Sequence, residues 1–112
     1  MRQEFYDTGT GLSWAVEAES IQYTYDEAMN ADWGDGWRLP TIKELCSIID
    51  YNRYQPAIKD GLNCSEDCWF WSASPYVGYP TSAWSVNFYV GYVYDDLRFN
   101  TNYVRLVKGA MK

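Results

Sequence analysis

Apolar and polar side chains alternate with period two in the C-terminal half of the chain. In residues 69–72 the apolar positions of one face include Trp69 and Trp71, and in residues 84–89 they begin with Trp84. Because successive side chains of a strand point to opposite faces, this period predicts strands with one buried face. We therefore expect the rings of Trp71 and Trp84 to lie in the core.

Further short stretches extend this pattern towards the C-terminus. Val90-Gly91 is typical of a turn, Tyr92-Val93-Tyr94 of a returning strand, and Asp95-Asp96 of a bend. Residues 103–107 predict a final strand. The C-terminal half therefore predicts a meandering antiparallel sheet.

The N-terminal half carries a hairpin signal and then two signals for the start of a helix. Residues 5–16 contain two short apolar stretches around a glycine-containing turn. In residues 24–27 and 41–44 a threonine precedes a glutamate by three positions, which is the capping-box pattern. We predict a short helix that ends near Ala31 and a second helix from about Ile42 to Tyr51, where apolar residues recur at helical spacing.

The block Trp37-Arg38-Leu39-Pro40 precedes the second predicted helix. Trp and Arg are frequent interface anchors, but a structural role explains the block better. We expect Trp37 and Leu39 to enter the core, Pro40 to fix the approach to the helix, and Arg38 to satisfy loop carbonyls.

Length and aromatic content suit one small binding-type domain. The chain has 112 residues, which is the usual size of a single domain, so we assign residues 1–112 to one domain. Aromatic residues make up 19% of it, with six Trp and eleven Tyr, which exceeds what packing requires. We expect the Trp rings mostly in the core and the Tyr rings divided between the core and a binding surface.

Charge and residue types exclude several classes of function. Nine Lys and Arg stand against fifteen Asp and Glu, so the formal net charge is −6 and nucleic acid is not an expected partner. The chain has no His, which excludes histidine-dependent catalysis and removes the commonest transition-metal ligand. We predict no cofactor. We also predict no membrane insertion, because no stretch is long and apolar enough to span a bilayer.

Three cysteines leave several chemical options open. Residues 52–67 are polar and irregular, and we interpret them as a surface excursion that includes Cys64, with Cys68 just beyond. A C-x3-C loop can close as a disulfide, offer two metal thiolates or hold two buried thiols. A zinc site would need two further ligands, and only Cys46 remains, so we predict no metal site.

Four blocks of residues occur in an order that resembles a known family. They are Trp37–Leu45, Trp71–Ser74, Ala83–Phe88 and Tyr103–Lys108. With the opening Thr10–Trp14 they resemble the Lcl C-terminal domain, the C-terminal domain of a collagen-like adhesin. The resemblance implies an α+β, C-type-lectin-like fold: two helices packed on a twisted, mostly antiparallel sheet with adjacent terminal strands.

The resemblance also implies a location and a class of function. Members of this family occur in bacterial surface adhesins and in phage or archaeal-virus proteins, and some are variable proteins of diversity-generating retroelements. The implied location is extracellular, at a cell surface or a virion surface. Members that bind sulfated polysaccharide use a basic surface, whereas this chain is acidic, so we do not carry that ligand over. The cysteines at Cys64 and Cys68 also depart from the family pattern.

Polar and tyrosine side chains accumulate between positions 76 and 102, on the strand faces predicted to be exposed. Tyr, Asn and Asp are typical of adaptable binding surfaces, and retroelement mutagenesis of Asn codons readily yields the same set. The alternative is that Tyr merely suits strands and that Asn and Asp merely suit turns. The candidate ligand-binding residues are Tyr76, Tyr79, Asn87, Tyr89, Tyr92, Tyr94, Asp95, Asp96, Arg98, Asn100 and Asn102.

These observations favour a domain that binds a protein or glycan receptor and is not an enzyme. No nucleophile–base arrangement can be assembled from the sequence, and the Trp84–Asn87 stretch departs from the calcium-lectin element. One alternative is a structural assembly module of a surface fibre or homotrimer. Another is a cysteine-dependent enzyme, which would require a reactive thiol of depressed pKa.

Overall fold

Three small antiparallel sheets and two short helices make up the part of the chain that the computed structural model describes, residues 2–64 and 68–112. The elements, in chain order, are β1 (Glu4–Asp7), β2 (Leu12–Ala15), β3 (Tyr23–Thr24), α1 (Tyr25–Asn30), α2 (Ile42–Cys46), β4 (Trp69–Pro75), β5 (Ser82–Asn87), β6 (Tyr92–Leu97), β7 (Thr101–Asn102) and β8 (Val107–Lys108). This is an α+β domain, as predicted. Neither helix has the length or apolar character needed to cross a bilayer.

The first sheet brings the two ends of the chain together. β2 lies between β1 and β8 and pairs with both in antiparallel register. The turn between β1 and β2 closes through Gly11, which has a φ of 81° and donates its backbone N–H to the Asp7 carbonyl at 2.8 Å. The predicted hairpin is confirmed, and the terminal strands β1 and β8 lie near one another in one sheet but on either side of β2 rather than adjacent.

Both helices begin at the predicted capping boxes. Thr24 and Thr41 each accept a backbone N–H from the glutamate three residues on, and each glutamate in turn accepts the threonine backbone N–H. α1 ends at Asn30, close to the predicted position. α2 ends at Cys46 rather than Tyr51, so its predicted length was wrong.

Tertiary contacts explain the early end of α2. Beyond Cys46 the backbone makes i→i+3 bonds, and the Asp50 N–H then donates to the Ala57 carbonyl at 3.0 Å, while Ile49 bridges Ile58. These bonds draw the chain away from the helix. The apolar residues that suggested a longer helix, among them Leu45 and Ile49, are nevertheless buried.

The block that precedes α2 has the structural role predicted for it. Trp37 and Leu39 are buried, and Arg38 donates to the Leu39 carbonyl at 3.2 Å and the Gly109 carbonyl at 2.8 Å. Arg38 also makes two 2.8 Å hydrogen bonds to the Glu44 carboxylate. The guanidinium thus joins α2 to the C-terminal segment.

The third sheet has the order β4-β5-β6 and separates two environments. One face packs Phe70, Val86 and Phe88 against α2, in the larger of the two core clusters. The other face holds Trp71, whose indole N–H donates to the Tyr23 carbonyl at 2.7 Å and whose ring meets Tyr25 at 5.7 Å. Because both sides of β4 are covered, simple alternation between a buried and an exposed face fails there.

Two further expectations about strands were wrong. Trp84 is only partly buried, because it lies near the end of the β4–β5 hairpin, where its ring meets Tyr76 at 4.8 Å. The predicted strand over residues 103–107 is instead divided: Tyr103 makes a parallel bridge to Phe70, and regular pairing resumes only at β8.

Arg105 lies fully inside the domain, with 0% of its surface exposed. Its guanidinium donates to the carbonyls of Ala15 at 3.0 Å and Val16 at 2.7 Å, and also to that of Asn63. Burial lowers the pKa of Arg105 to about 10, so the group stays charged at neutral pH. Arg105 therefore ties three distant parts of the chain together.

Candidate ligand-binding surface

The face of the β4-β5-β6 sheet that holds the buried Trp71 also carries three aromatic side chains that are partly or largely exposed. In the strand register Trp69 lies opposite Asn87, and Asn87 lies opposite Tyr92. Tyr94 lies opposite Ser85, so the same alternation puts Trp69, Tyr92 and Tyr94 on one face. Tyr92 is 58% exposed and Tyr94 is 61% exposed. We call Trp69, Tyr92 and Tyr94 the aromatic face.

Two of these rings meet across the central strand. The rings of Trp69 and Tyr94 lie 5.9 Å apart at an interplanar angle of 70°, an edge-to-face arrangement. They belong to β4 and β6, so they close over the small side chains of β5 between them. This cover explains why Ser85 and Asn87 are buried, although the sequence predicted an exposed Asn87.

A shallow cleft of about 240 Å³ lies beside the Trp69–Tyr94 pair and is also lined by Asp95 and Asp96. The Asp96 carboxylate accepts the side-chain amides of Asn100 and Asn102, each at 2.9 Å. These donors are neutral. They fix the position of the carboxylate without neutralising it.

Two candidate residues, Asn87 at 2% exposure and Asn102 at 6%, are buried rather than solvent-facing. The Asn87 Oδ1 accepts the backbone N–H groups of Tyr89 at 2.9 Å and Val90 at 3.4 Å, which shapes the turn between β5 and β6. Asn102 orients Asp96. The expected exposure of these two side chains was therefore wrong.

A second aromatic group lies near the β4–β5 hairpin. Tyr76 and Tyr79 stack with ring centroids 5.7 Å apart and an interplanar angle of 4°, and Tyr76 also meets Trp84. Trp84 pairs with Asp95, one position out of phase with Tyr94, so it lies on the opposite face of the sheet. The structure thus divides the candidate residues between two groups.

Arg98 makes structural contacts on the segment that follows β6. It donates to the Asp26 carboxylate at 2.6 Å and the Pro80 carbonyl at 3.2 Å, and its guanidinium lies 4.7 Å from the Tyr25 ring centre. Burial raises the pKa of Tyr25, and the charge of Arg98 opposes that effect. The neighbouring Phe99 is exposed and was not among the predicted residues.

Sequence reasoning also missed Tyr51 and Tyr54, which are exposed on the loop after α2. That loop runs beside the β5–β6 turn, because the Gln55 N–H donates to the Tyr89 carbonyl at 2.9 Å. A Cβ added at Gly91 would lie 3.9 Å from the Tyr51 ring. Tyr51 was placed at the end of the predicted second helix and Tyr54 stands in a polar stretch without a period, so only their residue type could have suggested a surface role.

Cys64 and Cys68 line one cleft of about 250 Å³, together with Glu17, Glu19 and Phe70. Residues 65–67, between the two cysteines, lie outside the described residues, and a disulfide between Cys64 and Cys68 stays one of the options that the sequence leaves open. For the third thiol, burial raises the pKa of Cys46. Within residues 2–64 and 68–112, no three His, Cys, Asp or Glu side chains are grouped as metal ligands would be.

The structure defines the class as a small α+β domain with exposed aromatic rings on one sheet face, and comparison with known families identifies the family. The sequence model of the Lcl C-terminal domain matches residues 3–108. The chain therefore belongs to the Lcl C-terminal domain family, which is associated with surface and adhesion-related proteins. Comparisons with curated proteins and with solved structures gave no match.

Proposed function

We propose that this chain is a non-catalytic receptor-binding domain of the adhesion type, displayed at a cell surface or virion surface, whose ligand covers the aromatic face. The observation that carries this proposal is the exposure of Tyr92 and Tyr94 on the edge strand β6, whose one neighbour in the sheet, β5, is mostly buried. Tyr and Trp give large contact areas at a low cost in conformational entropy, which is why they dominate binding surfaces. Family membership supports the same class of function.

The scaffold beneath these rings supports this proposal, because its buried core is built from other residues. The larger core cluster includes Phe70, Val86 and Phe88 but neither Tyr92 nor Tyr94. Replacing an exposed ring therefore leaves the core intact. This separation suits a C-type-lectin-like variable protein, and we extend the proposal to a diversity-generating-retroelement variable protein that binds a protein or glycan receptor.

Single alanine variants test the proposal. The domain is screened on a glycan array and against a random peptide library displayed on phage, and the tightest binder is measured with Tyr92→Ala and Tyr94→Ala. We expect each variant to weaken binding about tenfold or more, the range of interface hot spots. The matched control is Tyr6→Ala, since Tyr6 is 56% exposed on β1 in a different sheet.

Three results would overturn the proposal. They are a Tyr6→Ala variant that loses as much affinity as the other two, variants at Tyr92 and Tyr94 that keep full affinity, and the failure of both screens to give a binder. Thermal unfolding of all three variants should stay close to that of the parent. A large fall for Tyr92→Ala or Tyr94→Ala would show that these rings belong to the core.

The exposed rings also suit the alternative role, a structural module that buries them against neighbouring copies. Light scattering of the purified domain separates the two roles. A monomer supports ligand capture, whereas a stable trimer that dissociates on replacement of Tyr92 and Tyr94 supports assembly. A genomic near-copy of the segment that encodes Tyr76 to Asn102, next to a reverse transcriptase gene, would support the variable-protein part, and its absence would count against it.

A further inference from the structure

We infer that the cleft beside the aromatic face takes a cationic side chain, a Lys ammonium or an Arg guanidinium, of a protein ligand. This inference rests on the proposed function and names the chemistry of the group that docks. The cleft is the one lined by Trp69, Tyr94, Asp95 and Asp96. We call it the acidic cleft.

The size of the acidic cleft suits one side chain. Its volume of about 240 Å³ is smaller than the roughly 300–1,000 Å³ typical of small-molecule sites. One wall is the edge-to-face pair of Trp69 and Tyr94. Aromatic faces attract ammonium and guanidinium groups, Trp most strongly.

The opposite side of the acidic cleft supplies negative charge that the described chain does not neutralise. Among residues 2–64 and 68–112 six ion pairs form, and none of them includes Asp95 or Asp96. The nearest basic residue along the chain, Arg98, is paired with Asp26 instead. Asp96 is two positions from Tyr94 on β6, so the two side chains share one face, and an uncompensated carboxylate beside two aromatic rings is complementary to a cation.

The hydrogen bonds of Asp96 favour a cation over a neutral sugar. Each of its carboxylate oxygens already accepts an amide, from Asn100 and from Asn102, and one also accepts the Leu97 N–H at 2.9 Å. These bonds occupy acceptor sites that sugar hydroxyls would need, but they leave the negative charge in place. An anionic ligand such as a sulfated glycan would be repelled by the same charge.

The probe is a short lysine peptide, acetyl-(Gly-Lys)3-amide, with a matched peptide whose lysines are Nε-acetylated. Binding is followed in the ¹⁵N-labelled domain from the indole N–H signal of Trp69 and the amide signals of Tyr94 to Asp96, at low ionic strength. We expect the lysine peptide to shift these signals and the acetylated peptide to bind about tenfold more weakly, because acetylation removes the charge.

Two variants separate the acidic cleft from the net charge of the whole domain. Asp96→Asn removes the carboxylate charge from the cleft and keeps an oxygen that can accept the Asn100 amide, and we expect about two- to fivefold weaker binding. Asp35→Asn changes the net charge equally, on the loop between α1 and α2 that does not line the cleft. Asp35 has a φ of 53°, which Asn also tolerates, so this control should fold and keep parent affinity.

Equal binding of the acetylated peptide, or equal loss with Asp35→Asn and Asp96→Asn, would overturn the inference. Signal changes confined to residues away from Trp69 and Tyr94 would do the same. Failure here is distinct from failure of the proposed function. If Tyr92→Ala and Tyr94→Ala abolish binding of the screened binder while the lysine peptide does not bind, the proposed function is supported and only the inference of a cationic ligand is refuted.

Discussion

The two capping boxes share one sequence pattern but differ in what lies around them, which allows a controlled comparison. Among the described residues, the Glu27 carboxylate in the exposed box of α1 accepts the Thr24 backbone N–H, at 2.8 Å, and no other hydrogen bond. Glu44 makes the equivalent bond to Thr41 at 2.8 Å and also binds both terminal nitrogens of Arg38. We predict that Glu44→Ala destabilises the domain much more than Glu27→Ala.

The expected magnitudes follow from these bonds. Loss of the capping bond alone should lower the free energy of unfolding by about 0.5–1 kcal/mol. Hydrogen bonds to a charged group contribute about 1.5–3 kcal/mol, and the lower half applies here because solvent screens an exposed pair. The Arg38 side chain is 39% exposed. Glu44→Ala should therefore cost about 2–3 kcal/mol, which lowers Tm by roughly 10 °C in a domain of this size.

Urea unfolding at pH 7, followed by circular dichroism, measures both variants. A double-mutant cycle with Arg38→Gln and Glu44→Ala isolates their coupling, which we expect to be about 1 kcal/mol or more. The reasoning would be refuted if Glu27→Ala and Glu44→Ala destabilised the domain equally, or if the cycle showed no coupling. Either result would mean that the Arg38–Glu44 pair contributes nothing beyond the cap.

Two further predictions concern acid pH and the tryptophans. Burial alone would raise the pKa values of Asp7 and Glu44, but hydrogen bonds, including those from Lys59 and Arg38 respectively, lower both pKa values overall. A carboxylate whose pKa is lowered in the folded state stabilises the fold at pH values above its unfolded pKa of about 4, and this stabilisation is lost as the pH falls through the folded pKa. The urea midpoint of unfolding should therefore decline below about pH 5. The decline should be less steep in Glu44→Gln, which lacks one of the two carboxylates. In thermal unfolding, Trp71→Ala should lower the free energy of unfolding by about 3–5 kcal/mol and Trp84→Ala clearly less. The reason is that Trp71 is fully buried, whereas Trp84 is partly exposed. Equal losses of stability would contradict the assigned burial.

Local chemistry made the starts of the helices predictable, and distant contacts set their ends. The threonine and glutamate of a capping box satisfy each other within four residues, so the sequence contains the whole interaction. The end of α2 depends instead on the pairing of Asp50 with Ala57 and of Ile49 with Ile58. The partners Ala57 and Ile58 follow a polar, irregular stretch, and no hydrophobic periodicity near α2 predicts where that stretch brings them.

The sequence predicted the chemical character of the candidate surface but not all of the residues that form it. Tyr92 and Tyr94 are exposed on an edge strand, as their type and phase indicated. Asn87 was wrongly predicted to be exposed, because its side-chain oxygen accepts a backbone N–H of the adjacent turn, and the alternation of apolar and polar residues does not reveal that bond. Trp69 was assigned to the core because a large ring in phase with Trp71 suggests burial, and only the sheet register places it beside Tyr94.

Arg105 has a consequence for how the domain loses its structure. Its guanidinium lies 5.5 Å from the ring centre of Phe70 in one core cluster and holds the Ala15 carbonyl of the other. Opening either cluster alone would take the buried guanidinium away from a carbonyl acceptor or from the Phe70 ring, which is unfavourable for a buried charge. The two clusters should therefore melt cooperatively, so the strands beneath the exposed tyrosines keep their shape until the whole molecule unfolds.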